Sequence, residues 1–117
     1  MARFIVYMLE DDNAWNNLPK ERRDELLEKY KDWVKELRDH KRFVAGEPIA
    51  AGGRVLKLEN GNVVDHPFRQ RKAVITGFFI IEAEGEEHAV QIAKDCPALL
   101  HGECVIVRRI PEPGEDH

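Results

Sequence analysis

The chain has 117 residues, 43% hydrophobic and 34% charged, which is the composition expected of a soluble globular domain. Its 18 basic and 22 acidic residues leave a net charge of −4 and are interspersed along the chain, which argues against a nucleic-acid partner. No apolar run reaches membrane-spanning length, and the two cysteines, Cys96 and Cys104, make no disulfide framework. A single domain with no membrane association in a reducing, cytoplasmic setting is therefore expected.

Residues 3–9 are β-branched, aromatic or long apolar side chains on both alternating faces, the pattern of a strand covered on both sides. Acids follow at once, so this start reads as a first strand and not as a signal peptide. The polar stretch 10–18 carries Trp15 and reads as a loop or one short helical turn. Pro19 then opens the longest helix, where its fixed φ suits the first position. Leu26, Tyr30, Trp33 and Leu37 recur at helical spacing, and Leu27 and Val34 widen that stripe. This amphipathic helix fades near His40-Lys41.

Residues 43–49 read as a short strand ending at Pro48, followed by a turn at Gly52-Gly53. Arg54–Glu59 and Asn62–Asp65 flank Asn60-Gly61, a strong two-residue hairpin signal. Residues 76–84 form the most apolar strand. Acids at 84–87 open a second helix, with Ala89, Val90, Ile92 and Ala93 on its inner face, and Pro97 stops it. Residues 103–110 make the last strand, and residues 111–117 form a tail with no apolar anchor, expected to be mobile.

The fold class is therefore α+β. The order β-α-β, hairpin (54–66), β-α-β is a ferredoxin-like plan with a hairpin inserted, an antiparallel sheet carrying both helices on one face. Strand 3–9 has Phe4, Val6 and Met8 on one face and Ile5, Tyr7 and Leu9 on the other, strand 76–84 sets Phe78 and Ile80 against Phe79 and Ile81, and helices on one side only leave an oversized apolar patch for a monomer. Face-to-face packing of two sheets in a homodimer, with a barrel-like core, is the expected solution.

Several segments carry a family likeness. They are Gly46-Glu47-Pro48, the Asn-Gly hairpin, Asp65-His66-Pro67-Phe68, Gly77-Phe78-Phe79-Ile80-Ile81-Glu82-Ala83 and Val105-Ile106-Val107-Arg108, with Trp15 and Leu18-Pro19 before the long helix. Over residues 3–110 the chain resembles the YCII-related proteins, and more narrowly the branch named for its Asp-Gly-Pro-Phe (DGPF) motif. The resemblance implies a dimeric α+β barrel and leaves the activity unassigned, and the sequence carries no cofactor signature, so no cofactor is expected. The wider superfamily holds small-molecule enzymes, and some relatives of this branch are linked to sigma-factor-like regulators. The chain departs from the pattern with His66 in place of the motif glycine, Arg69-Gln70-Arg71-Lys72 after the motif phenylalanine, Ile106 in place of an acid and Arg109 in place of a proline.

The hairpin turn pairs Leu56 with Asp65, which sets Asp65 on the face of Leu56, Leu58 and Val63. An acid there is either a general base or ligand anchor, or a side chain that fixes the turn at Pro67 through backbone N–H groups. His66 points to the opposite face with Val55 and Val64, either as an exposed histidine or as a titrating catalytic group. Glu47 is either a second carboxylate beside Asp65 or a solvated edge residue. Arg69, Arg71 and Lys72 are either an anion-capturing loop or a solvated charge run. Tyr7, Phe68 and Phe78 complete the candidate ligand-binding set, with Tyr7 and Phe78 otherwise core. Cys96, His101 and Cys104 are spaced C-x4-H-x2-C without an evident fourth ligand, so no metal is assigned. The chain contains no serine, which excludes serine-nucleophile hydrolysis.

Two functions remain. One is a small-molecule enzyme or binder of a small anionic or polar ligand, with Asp65, Glu47 and His66 in acid–base roles and Tyr7, Phe68, Arg69 and Phe78 around the ligand. The other is a non-catalytic dimeric module for regulation or protein interaction.

Overall fold

Nine residues of alternating burial begin the fold as strand β1 (Ala2–Glu10). The computed structural model describes residues 1–117. Helix α1 (Lys20–Asp39) follows, then β2 (Phe43–Pro48), β3 (Arg54–Glu59), β4 (Asn62–Pro67), β5 (Val74–Ala83), α2 (Glu86–Ala93), a 3-10 turn at Pro97–His101 and β6 (Cys104–Ile110). Four strands form one antiparallel sheet in the order β2-β5-β1-β6, and β3 and β4 form a separate two-stranded sheet. The fold is α+β, and its four-stranded order agrees with the ferredoxin-like plan expected from the sequence.

α1 starts without a side-chain cap, and the carbonyl of Pro19 accepts the Arg23 N–H at 3.0 Å. Its 20 residues span about 30 Å. Leu26, Trp33 and Leu37 are its buried residues. With Phe4, Val6, Met8, Ile81 and Ala83 from the sheet and Ala89 and Ala93 from α2, Trp33 and Leu37 make the core. These sheet residues share one face by strand alternation. The other face, with Ile5, Tyr7, Phe78, Ile80 and Ile106, is half-buried and carries no helix.

The β3–β4 hairpin turns at Asn60 (φ 49°) and Gly61 (φ 81°), the left-handed pair that a tight hairpin needs. Its register, Glu59 with Asn62 through Leu56 with Asp65, is the one the turn predicts. The hairpin projects as an arm. The radius of gyration is 16.4 Å, against about 13 Å for a close-packed chain of this length. The molecule is also only 18 Å thick, the depth of one helix layer on one sheet.

The second helix ends at Ala93, short of Pro97, and the chain passes into a 3-10 turn that Pro97 opens. In the tail, the Arg109 guanidinium binds both carboxylate oxygens of Glu115, and this pairing, with the Glu112 backbone N–H, lowers the Glu115 pKa to about 2.

Candidate functional site

A cavity of about 700 Å³ opens at one end of the helix-covered face. Its walls come from α1 (Leu27, Tyr30), the ends of β1 and β5 (Met8, Glu10, Thr76), the loop carrying Trp15 and the two roots of the hairpin arm. That volume suits a drug-sized molecule.

The wall loop 11–13 is held by backbone and acid contacts. Asp12 N donates to the Arg71 carbonyl at 2.6 Å, and Ala73 N donates to Asp11 Oδ1 at 2.7 Å. Lys72 Nζ and Arg71 Nε approach Asp12 at 2.5 and 3.5 Å. The Lys72 hydrogen bond is the main cause of the lowered Asp12 pKa. Two of the three bases read as an anion-capturing loop are thus engaged by an acid of the same wall, while Arg69 stays exposed.

A buried polar chain lies beneath the cavity. Glu103 is 7% exposed, and it lines the cavity together with Tyr30 and Thr76. Thr76 Oγ1 donates to Glu103 Oε1 at 2.5 Å, and Glu103 Oε2 lies 3.3 Å from His101 Nδ1. His101 Nε2 lies 3.0 Å from the Tyr30 hydroxyl. The Trp15 ring packs on the imidazole, with centroids 5.3 Å apart. Gly102, at φ 82°, closes the 3-10 turn in a left-handed conformation between His101 and Glu103.

Burial sets the protonation of this chain. It pushes the Glu103 carboxyl up, a shift opposed by the Thr76 hydrogen bond and reinforced by the charge of Glu10. Burial and the nearby Arg22 push His101 down, toward the neutral imidazole. Burial also raises Tyr30. In the Tyr30–His101 hydrogen bond the imidazole tautomer decides which group donates.

The residues singled out in the sequence are dispersed. Phe68 and Glu47 line the cavity. Glu47 pairs with Phe78, so its side chain belongs to the helix-free face and its backbone forms the wall. Tyr7 and Phe78 are cross-strand partners on that same helix-free face, away from the cavity. Asp65 sits on the arm, where Arg54 Nη2 donates to its Oδ2 at 2.7 Å. Its face is shared by Leu56, Leu58 and Val63, which are 63%, 72% and 67% exposed. His66 is exposed on the arm's other face, and neither arm residue lines the cavity. Cys96 is buried and Cys104 exposed, while His101 is committed to Tyr30 and Glu103. No group of three or more His, Cys, Asp or Glu side chains is placed to hold a metal ion.

Glu103, His101, Tyr30 and Thr76 come from four segments, and only Tyr30 and His101 drew attention in the sequence, for other reasons. The available signal was the His101-Gly102-Glu103 tripeptide. A glycine able to turn left-handed there can bring an imidazole and an acid to one side just before an apolar strand.

Fold and site together describe an α+β domain with one helix layer and an acid-bearing cavity at the end of its sheet. The family model for the YCII-related domain matches residues 2–112, and the chain belongs to that family. No curated protein matches the chain. No helix is long and apolar enough to cross a membrane.

Proposed function

We propose that the cavity binds a small polar organic molecule and that Glu103 exchanges a proton with it, in a proton transfer, isomerisation or elimination. The observation that carries this reading is a carboxyl of raised pKa in the wall of a 700 Å³ cavity. A general acid–base near neutrality needs that environment. His101, Tyr30 and Thr76 act as positioning residues that hold Glu103 and fix its protonation. Glu47 and Phe68 contribute to the rim. Asp65, His66, Arg69, Tyr7 and Phe78 enter only where a second copy or a movement of the arm brings them to a ligand.

A thermal-shift screen of small metabolites tests the reading on wild type, Leu27→Trp and Glu103→Gln. Leu27→Trp fills the cavity from a half-exposed position. Hits should lose their shift in Leu27→Trp and should bind Glu103→Gln without turnover. A hit that shifts wild type and Leu27→Trp equally places binding elsewhere and rejects the cavity.

The same proposal includes a homodimer through the helix-free face, supported by its half-buried apolar residues, and membership of the DGPF branch, supported by Gly46-Glu47-Pro48 and Asp65-His66-Pro67-Phe68. A cytoplasmic location is supported by the two free cysteines. Light scattering at micromolar protein checks the dimer, and a monodisperse monomer rejects it. The second reading, a dimeric interaction module, is favoured by the projecting arm with its exposed Leu56, Leu58 and Val63.

A further inference from the structure

The charge around the cavity is one-sided. Its ionisable acids are Glu10, Asp12, Glu47 and Glu103, and its one base is Arg71. Arg71 and the neighbouring Lys72 are both drawn to Asp12. Glu10 accepts only the Trp15 backbone N–H, at 3.1 Å from Oε2. Glu103 has Thr76 and His101 as partners, neither of them a cation. Two acids, Glu10 and Glu103, therefore lie at the cavity without a positive side chain to balance them, and Glu103, which burial holds toward its protonated form, ionises when a cation arrives beside it. An anionic ligand entering here would meet both and find no free base.

The apolar part of the lining points the same way. Trp15, Tyr30, Phe68 and Phe79 bring four aromatic rings to one cavity. The Trp33 edge packs on Phe79 at 5.0 Å, and Tyr30 stacks on Phe79 at 6.4 Å, so part of this aromatic wall is fixed before any ligand arrives. Aromatic faces attract cations, and the attraction grows as water is excluded. A positive group also relieves the repulsion between Glu10 and Glu103.

We infer that the ligand is an organic cation, a protonated amine carried on an apolar or aromatic body, seated with its ammonium between Glu10 and Glu103. This rests on the cavity being a ligand site, as proposed above, and adds the sign of the ligand's charge. It also replaces the anion expected from the basic loop, because Arg71 and Lys72 lie against Asp12 and Arg69 does not line the cavity.

Isothermal titration calorimetry at low salt with three probes of similar size tests the inference. They are phenethylamine, phenethyl alcohol and phenylacetate, which share an aromatic body and differ in charge. Phenethylamine should bind at least tenfold more tightly than phenylacetate, with the alcohol between them. Glu10→Gln and Glu103→Gln should each weaken phenethylamine by about tenfold, close to 1.4 kcal/mol, and leave the alcohol unchanged. If Glu103→Gln fails to fold, Glu10→Gln carries the test, since Glu10 is only partly buried. Phenylacetate or the alcohol binding as tightly as the amine overturns the charge assignment and leaves the cavity standing as a site. No binding of any probe at millimolar concentration overturns both.

Discussion

Gly46→Ala should destabilise the protein although Gly46 occupies no left-handed turn. A β-carbon built there falls 2.4 Å from Phe79 Cδ1, 2.9 Å from Cε1 and 3.2 Å from the Phe78 carbonyl oxygen. Ordinary contact begins at 3.4 Å, so the ring or the strand must give by about 1 Å. The ring cannot swing freely, because Trp33 packs edge-on against it at 5.0 Å and Tyr30 stacks on it at 6.4 Å. Overpacking of this kind costs about 1–3 kcal/mol. For a domain near this length, each kcal/mol lowers the melting temperature by roughly 4–8 °C. Urea unfolding monitored by tryptophan fluorescence should show a lower midpoint at unchanged slope. Gly85→Ala is the control, because its backbone is extended and nothing lies within 4 Å of the new carbon. It should stay within about 0.5 kcal/mol of wild type. A Gly46→Ala protein as stable as that control would refute the close-approach argument. Because Phe79 also lines the cavity, the same variant should weaken any cavity ligand.

Other expectations follow from the buried polar chain and the cysteines. The raised Glu103 pKa favours the protonated group in the folded state, so its stabilisation is complete at low pH and is lost as pH rises from 4.5 through the folded value. Glu103→Gln does not titrate, so its melting temperature should gain on wild type across that rise, and a pH-independent difference would count against burial as the cause. His101 acts in the opposite sense, since its lowered pKa removes stability as pH falls through 6.5, and melting of wild type against a His101→Gln variant should show this acid-side loss. Tyr30→Phe removes the partner of His101 Nε2 at a cost of about 1 kcal/mol and should move the His101 ring nitrogen resonances. Unmoved resonances would reject that hydrogen bond. Burial raises the Cys96 thiol to about 11, so a thiol reagent should label Cys104 alone in the native protein and both cysteines in denaturant. Fast native labelling of two thiols would show that the Cys96 pocket opens readily.

The fold was largely legible because its signals are local. The helical spacing of Leu26, Trp33 and Leu37 marked α1, and those residues are its buried ones. The Asn60-Gly61 turn fixed the hairpin register residue by residue, because two left-handed positions admit one tight reversal. The same register also correctly put Asp65 on the face of Leu56, Leu58 and Val63. Alternation tells which residues share a face, but not whether anything covers it. That face lies on a projecting arm, so Asp65 is an exposed partner of Arg54. Gly46 is a similar case, because its place in a short strand gives no sign that the Phe79 ring lies against it.

The sequence by itself determined the α+β class, the elements, the hairpin register and the family likeness, since these depend on periodicity and on residues a few positions apart. Only the tertiary structure decided where the cavity lies and which groups meet there. Tyr30 and His101 are 71 positions apart, and Thr76 and Glu103 are 27 apart. Such contacts leave no periodic trace in a single chain, because their partners are chosen by how α1, β5 and the turn before β6 converge. Tertiary burial then sets the chemistry, pushing Glu103 toward its protonated form and His101 toward its neutral form, while Asp12 engages Arg71 and Lys72 of the basic loop.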